Sequence, residues 1–234
     1  MTNARPGPVP VIAIDGPSAS GKGTVAQKVA EALGFHYLDS GALYRLVTLA
    51  ALKRGTSPDD EPRLQAIARD MAIEFRDGAT WLDGADVTQD LRTEAVSAAA
   101  SRVAAHAGVR EALHARQRGF MRPPGLVADG RDMGSVVFPE APLKVFLSAD
   151  VATRAERRHK QLMEKGMYAK MQDVVDELRR RDARDTSRVV APLKHYPDAI
   201  FLDTTGLSVD EAVTKILAWW KERAPDSLHR PRPE

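Results

Sequence analysis

The sequence predicts an α/β fold in which a parallel sheet of five strands carries helices on both faces. Short apolar runs recur along the chain with helix-like sequence between them, and 43% of the 234 residues are hydrophobic, enough to bury one substantial core. This alternation is typical of doubly wound sheets, whose ligands bind at the carboxyl ends of the strands. The predicted strands are Val11–Ile14, Phe35–Leu38, Leu126–Ala128, Leu143–Leu147 and Ala199–Leu202.

Helices are predicted where apolar residues recur at intervals of three or four. Two of them are indicated by Val25, Val29 and Leu33 and then by Leu43, Leu46, Val47 and Ala50. The last helix spans Ser208 to Arg223, and it opens with Ser208 and Glu211 in the spacing of a capping box.

One segment departs from this alternation of strands and helices. Ile73–Arg76 and Thr80–Leu82 flank the turn-forming pair Asp77-Gly78, and Asp83-Gly84 follows. Such pairs between short apolar runs are typical of hairpins. We therefore expect small antiparallel hairpins, inserted into the parallel core.

The composition excludes several classes of protein. There is no cysteine, so disulfide frameworks and thiolate metal sites are excluded. The longest apolar runs, such as Leu46 to Leu52, are too short to span a membrane, and the N-terminus lacks a signal-like pattern, so a cytoplasmic protein is expected. Residues 1–10 and 224–234 are expected to be disordered tails around a single domain at 11–223. Arginine outnumbers lysine by 24 to 10, which indicates either anion recognition or an arginine-rich solvated surface.

A phosphate-binding loop is predicted directly after the first strand. Its residues are Gly16-Pro17-Ser18-Ala19-Ser20-Gly21-Lys22-Gly23-Thr24, which contain the G-x-x-x-x-G-K pattern between a strand and a helix. The glycines let backbone N–H groups converge on phosphates at the positive helix N-terminus, and Lys22 can reach the β- and γ-phosphates. The loop is therefore expected to bind ATP; a glycine-rich turn with an exposed lysine is the alternative.

Compared with the usual P-loop pattern, in which Ser or Thr directly follows the lysine, the hydroxyl residue of this loop comes one position later. Gly23 follows Lys22, so the hydroxyl is that of Thr24, which would contact Mg²⁺ either directly or through water. Asp129, at the end of the third predicted strand, is the second residue expected to orient Mg²⁺. The form G-x-x-x-x-G-K-G-T resembles that of the nucleoside monophosphate kinases.

Two other classes of P-loop protein fit the sequence less well. GTPases that resemble Ras read guanine through an Asn-Lys-x-Asp motif, whereas the only asparagine is Asn3. A nucleic-acid-dependent ATPase could use the arginine-rich residues 179–185, but the carboxylates of Asp182 and Asp185 would repel a phosphate backbone.

Two further motifs place charged residues at the ends of predicted strands. Residues 38–45 combine Asp39, Ser40 and Arg45 after the second strand, and residues 125–134 combine Arg131 and Asp132 with glycines after the third. Both motifs suit the binding of a second anion. A helix cap and a charged loop are the alternative interpretations.

Taken together, the segments D-S-G-A-L-Y-R, A-D-G-R-D-M-G-S-V-V-F-P and R-R-R-D-A-R-D-T-S-R-V-V-A-P-L resemble the bacterial cytidylate kinase family, within a similarity that covers about Val11 to Trp220. The resemblance implies a P-loop kinase core with an acceptor-binding region at about 40–105, which holds the β insertion, and a short lid at about 151–188. It also implies phosphorylation of CMP and dCMP by direct in-line transfer from ATP with Mg²⁺, by a monomer that binds neither nucleic acid nor membrane. Phosphorylation of UMP or another small molecule is the alternative.

The resemblance also implies roles for residues that would hold phosphate. Ser40, Arg45, Arg131 and Arg188 are expected to bind the acceptor phosphate. Arg154, Arg157 and Arg158 recur at helical spacing, so they would either neutralise the transferring group or form a solvated basic face. The residues expected to stabilise the transferring group are Lys22, Arg131, Arg154, Arg158 and Arg188.

The nucleoside is expected to contact a second group of residues. Cytosine donates from its N4 amino group and accepts at N3 and O2, and the resemblance implies that Asp132, Arg110 and Ser101 read these groups. Asp185, assisted by Arg181, is expected to accept from the ribose hydroxyls. Ser101, within a helix expected at Ala95–Ala105, and Arg110 are both expected to lie on helices, where an ordinary surface role is the alternative.

Overall fold

The structure is a computed structural model that describes residues 9–76 and 78–224. Residues 1–8 and 225–234 of the expected tails, and Asp77 of the predicted hairpin, lie outside the described residues. The strands are β1 (Val11–Asp15), β2 (His36–Asp39), β3 (Ile73–Arg76), β4 (Ala79–Leu82), β5 (Ala85–Asp86), β6 (Leu126–Gly130), β7 (Leu143–Ser148) and β8 (Ile200–Asp203). The α-helices are α1 (Lys22–Leu33), α2 (Ser40–Lys53), α3 (Glu61–Asp70), α4 (Glu94–Val103), α5 (Ala107–Arg118), α6 (Val151–Glu164), α7 (Met171–Thr186) and α8 (Val209–Arg223).

The central sheet is parallel and has the strand order β2-β6-β1-β7-β8. Every residue of β1 and β6 is buried, as expected for interior strands that helices cover on both faces. The predicted fold class is confirmed, and the observed strands of this sheet begin and end within two residues of their predicted bounds. The carboxyl ends of β2, β6 and β1 lie side by side, which brings three predicted motifs together.

Two apolar clusters cover the two faces of this sheet. One packs helices α2, α3 and α5 together and includes Leu46, Leu64 and Leu113. The other packs α1 and α8 against the opposite face and includes Val25 and Ile216. The predicted capping box at the start of α8 is present, with the side chain and backbone contacts of both its residues formed.

The predicted antiparallel insertion is confirmed as a three-stranded sheet in the order β3-β4-β5. Ile73 pairs with Leu82, and Arg76 pairs with Ala79. The last strand, β5, was not expected from the sequence, because its two residues are exposed and carry no apolar pattern. The turn that leads into β5 places Asp83 and Gly84 at positive φ, 50° and 81°.

Helices α6 and α7 occupy the region that the sequence marks as a lid. They pack on each other through a small apolar cluster that includes Ala155, Leu162, Val174 and Leu178. This cluster is separate from the two larger clusters on the central sheet. Within the described ranges, none of the helices has the length and the apolar character that crossing a membrane requires.

Candidate active site

The phosphate loop joins the carboxyl end of β1 to the first turn of α1. Gly16 approaches β7 so closely that an added Cβ would lie 2.0 Å from the carbonyl oxygen of Leu147, so no other residue fits there. Gly21 adopts a left-handed φ of 90° immediately before α1 begins at Lys22. The loop therefore presents the N-terminus of α1 to the cavity, which is a favourable place for phosphate.

Lys22 is held inside this loop. Its Nζ donates to the carbonyl oxygen of Pro17 at 3.2 Å. Burial, together with the nearby charge of Arg131, lowers the pKa of Lys22 to about 7. A bound polyphosphate would raise this pKa again, because its negative charge stabilises the protonated form of Lys22.

Two arginines of α6 donate hydrogen bonds to backbone carbonyl groups of the phosphate loop. Arg154 donates to the carbonyl oxygen of Ser18 at 3.2 Å and pairs with Asp182 at 2.7 Å, and it is buried. Arg157 donates to the carbonyl oxygen of Ser20 at 2.9 Å. These two side chains therefore do not form a solvated basic face, which was one of the two interpretations of their spacing.

A cavity of about 340 Å³ extends from this loop to the ends of β2 and β6. The predicted site residues that line it are Ser18, Ala19, Gly21, Lys22, Gly23, Thr24, Ser40, Arg45, Ser101, Arg110, Asp129, Arg131, Asp132, Arg158, Arg181, Asp185 and Arg188. Gly16, Pro17, Ser20 and Arg154 lie outside its lining and shape or support the loop. The fold thus brings the phosphate loop and the acceptor motifs to one cavity.

The far end of the cavity holds a buried ion pair between Arg110 of α5 and Asp132, which follows β6. Arg110 also donates to the carbonyl oxygen of Ala104 at 3.1 Å, and its guanidinium lies 5.6 Å from the centre of the Tyr44 ring. Ser101 is buried beside them and accepts from Arg184 at 3.3 Å. This end therefore offers a fixed carboxylate, a fixed guanidinium and a hydroxyl.

A second cluster of charges surrounds Asp185 of α7. Its carboxylate accepts from Arg131 at 2.8 Å and pairs with Arg188. Burial would raise the pKa of Asp185, but Arg131 and Arg188 outweigh it and the net shift is downward. Arg181 is also buried, and burial together with Arg131 lowers its pKa to about 10. One carboxylate therefore balances several guanidinium groups, which leaves positive charge available for an anion.

The family model described as cytidylate kinase matches residues 12–222 of this chain. A cytidylate kinase of Chromobacterium violaceum is 57% identical over 92% of this chain and 97% of that protein. The chain belongs to the cytidylate kinase family. A cytidylate kinase of Burkholderia pseudomallei is 56% identical over 95% of this chain and 98% of that protein, and one of Burkholderia ambifaria is 57% identical over 94% and 97%. Among solved structures, a gluconokinase from Sinorhizobium meliloti 1021 is 18% identical over 95% of this chain and 96% of that chain, with a TM-score of 0.49.

In this member of the cytidylate kinase family, Asp39 organises the start of α2, where the sequence predicts binding of a second anion. Its carboxylate caps α2 by accepting from the backbone N–H of Ala42 at 3.0 Å and pairs with Arg45 at 2.6 Å. Ser40 is buried and faces Gly130, where an added Cβ would lie 2.5 Å from the Ser40 hydroxyl. Asp39 belongs to a motif identified in the sequence, but only the structure shows that its carboxylate both caps α2 and pairs with Arg45.

The residues expected to orient Mg²⁺ lie at the phosphate loop. Asp129 accepts from the Tyr37 hydroxyl at 2.8 Å, and burial together with Asp39 raises the pKa of Asp129 to about 6. Among residues 9–76 and 78–224, no three His, Cys, Asp or Glu side chains gather into a metal site. One carboxylate and one hydroxyl beside a polyphosphate suit Mg²⁺, which keeps several waters and binds mainly to phosphates and one or two carboxylates.

Several residues outside the cavity lining hold predicted site residues in place, and nothing in the sequence indicated these contacts. Tyr37 positions Asp129, Asp182 pairs with Arg154, and Glu94 of α4 pairs with Arg158 of α6. Their partners lie 28 to 92 residues away along the chain, so no local pattern connects them.

Proposed function

We propose that this protein transfers the γ-phosphate of ATP to CMP and dCMP, by direct in-line attack of an acceptor phosphate oxygen, with Mg²⁺. The observation that carries the proposal is that one cavity, of about 340 Å³, has a phosphate loop at one end and a carboxylate–guanidinium pair at the other. Phosphoryl transfer requires positioning and positive charge more than covalent chemistry. The cavity supplies both.

The acceptor phosphate would bind between the two ends of the cavity. Arg45, Arg131 and Arg188 line this middle part with Ser40, and Arg131 and Arg188 are already oriented by Asp185. Oriented guanidinium groups bind phosphate oxygens in pairs with little loss of side-chain freedom. Asp185 and Arg181 lie beside them, in a place that supports contact with the ribose hydroxyls.

The base would be read by the buried pair at the far end. The free lone pairs of Asp132 suit the N4 amino group of cytosine, and Arg110 and Ser101 offer donors for N3 and O2. Uracil presents a carbonyl oxygen where cytosine presents N4, and that oxygen would face the Asp132 carboxylate. The pair therefore favours cytosine over uracil.

Three cavity-lining residues would stabilise the negative charge on the transferring phosphoryl group. They are Lys22, Arg131 and Arg188. Arg158 would join them after it leaves Glu94. Arg154 is held by Asp182 and by the loop, so contact with the phosphoryl group would require it to leave Asp182. These two arginines lie on α6, which supports a lid role for residues 151–188.

Magnesium would bind at the end of the cavity that the phosphate loop forms. Thr24 and Asp129 would hold it, together with the ATP phosphates, and a bound cation would favour the ionised form of Asp129. When bound, Mg²⁺ neutralises charge on the β- and γ-phosphates. One chain supplies both ends of the cavity, which supports a monomeric enzyme. We also propose that the enzyme is cytoplasmic.

The test is ADP release from ATP, followed with a coupled assay and a panel of acceptors. We expect activity with CMP and dCMP, much less with UMP, and almost none with AMP or GMP. Higher kcat/KM with UMP than with CMP would replace the proposed substrate, and ADP release that depends on DNA or RNA would refute the kinase assignment.

A further inference from the structure

Asp15 is a buried carboxylate at the carboxyl end of β1, and it does not belong to the lining of the active-site cavity formed by the described residues. Its two oxygens accept from the backbone N–H groups of Met133 and Gly134, each at 2.8 Å. Both contacts cross 118 or more residues of sequence. The carboxylate therefore ties the strand that leads into the phosphate loop to the segment that follows β6.

That segment carries the residues expected to read the acceptor. Asp132 immediately precedes the π-helical turn Met133–Val137, whose first two N–H groups are the ones that Asp15 binds. Because Met133 directly follows Asp132, a shift of the Met133 backbone would move the Asp132 carboxylate relative to Arg110. The carboxyl end of β1 is tightly packed, because the backbone of Gly16 lies against that of Leu147.

We propose that Asp15 is a positioning residue for base recognition, which holds the backbone after Asp132 at the place where its carboxylate can read cytosine. The inference rests on the proposed function, since it concerns the specificity of the same cavity. An ionised carboxylate can accept both N–H groups, whereas an amide accepts one and opposes the other with its own donor.

The surroundings of Asp15 leave these two N–H groups as its main partners. Asp132 and Arg131 lie nearby on the loop and carry opposite charges. Lys144 of β7 lines the same small cavity as Asp15 but pairs with Asp198 at 2.5 Å. Ser135, Lys194 and Tyr196 also line that cavity. Asp15 thus holds a backbone segment and does not neutralise a cation.

The experiment compares Asp15→Asn with the wild-type protein at pH 8, using CMP, UMP and ATP as varied substrates. We expect the KM for CMP to rise by about tenfold and the kcat/KM ratio of CMP over UMP to fall by a similar factor, with the KM for ATP changed less than about twofold. Asp15→Ser, whose hydroxyl can accept one N–H, should give a change in the same direction. Ile216→Val is the matched control, because it removes a buried methyl group from the other face of the sheet and should leave the ratio unchanged.

Thermal unfolding of each variant separates loss of fold from loss of positioning. A folded Asp15→Asn protein with unchanged KM for CMP and unchanged ratio would overturn the inference, as would an equal rise in the KM for ATP or the same change in Ile216→Val. If the wild-type protein does not phosphorylate CMP, the proposed function itself fails. If the wild-type protein phosphorylates CMP but Asp15→Asn changes neither the KM for CMP nor the CMP/UMP ratio, the proposed function stands and Asp15 is not a positioning residue.

Discussion

Arg110 and Asp132 form an ion pair in which the side chains are only 7% and 5% exposed, between helix α5 and the loop after β6. Burying two charges is costly unless their geometry and remaining hydrogen bonds are good, so such a pair is weak evidence for a purely stabilising role. Its place at the end of the active-site cavity accords with a role in recognition.

Replacing Asp132 with asparagine tests that role. Loss of a charge-assisted hydrogen bond costs about 1.5–3 kcal/mol, so kcat/KM for CMP should fall roughly 10- to 100-fold. UMP should lose less or improve, because an asparagine amide can donate to O4. The measurement is the kcat/KM ratio of CMP over UMP in both proteins, and an unchanged ratio would show that Asp132 does not read the base.

Lys22→Ala should lower kcat strongly while the protein remains folded. The lysine contact strengthens as charge develops on the transferred group, and removal of such groups typically lowers turnover about 10²- to 10³-fold. Lys28→Ala is the control, because Lys28 lies on the same helix but is exposed and pairs with Asp210 at 2.7 Å. Near-normal turnover of the Lys22 variant would contradict its proposed role.

Asp185→Asn should lower kcat/KM for CMP and dCMP by similar factors, on the order of 10². Both oxygens of Asp185 already bind Arg131 and Arg188, so the main loss is the orientation of these arginines, which both substrates need. A loss for CMP that exceeds the loss for dCMP more than about tenfold would instead indicate that Asp185 binds the 2′-hydroxyl. Asp176→Asn, at a partly exposed position of α7 outside the cavity lining, is the control.

Gly130→Ala should weaken binding of the acceptor more than binding of ATP. The added Cβ would lie 2.5 Å from the Ser40 hydroxyl and 2.9 Å from the Met133 side chain, so Ser40 must shift away from the acceptor phosphate. Gly206→Ala is the matched control, since no atom lies within 4 Å of its added Cβ. Titration calorimetry with CMP and with ATP separately would check this, and equal weakening of both would count against it.

The stability of the protein should depend on pH through Asp15. Burial raises the pKa of Asp15 from 3.8 to about 7, despite the two backbone N–H groups that favour its charged form. Between these pH values the native state holds a proton that the unfolded chain releases, so the free energy of unfolding falls as pH rises from about 4 to 7. Each pKa unit corresponds to about 1.4 kcal/mol.

Asp15→Asn cannot titrate and should lack this component. Urea unfolding of both proteins between pH 4 and 8 gives the difference in their free energies of unfolding, from which the other ionisable groups largely cancel. The wild-type protein should lose stability relative to the variant across this range. A difference that stays constant with pH would show that the Asp15 pKa is not raised.

The strands of the central sheet were predictable because each is a short apolar run. The interior strands β1 and β6 are buried throughout, whereas the edge strand β8 leaves Phe201 half exposed. Helix α3 was not predicted, because its apolar pattern is short: Leu64, Ile67 and Ala68 have helical spacing, but they are its only buried residues. It packs against α5, which is distant in sequence, so its stability depends on tertiary contacts. The same holds for β5, which exists only as a partner of β4.

The fold class and the phosphate loop could be predicted because both follow from residues that are neighbours along the chain. Apolar runs form strands, and glycines beside Lys22 allow the backbone conformation that phosphate requires. The tertiary structure alone decided which charges pair. Arg154 with Asp182, Arg158 with Glu94 and Asp15 with the backbone after Asp132 are contacts between distant segments. Packing of the helices and strands sets these distances, and electrostatic attraction then selects the partner within reach.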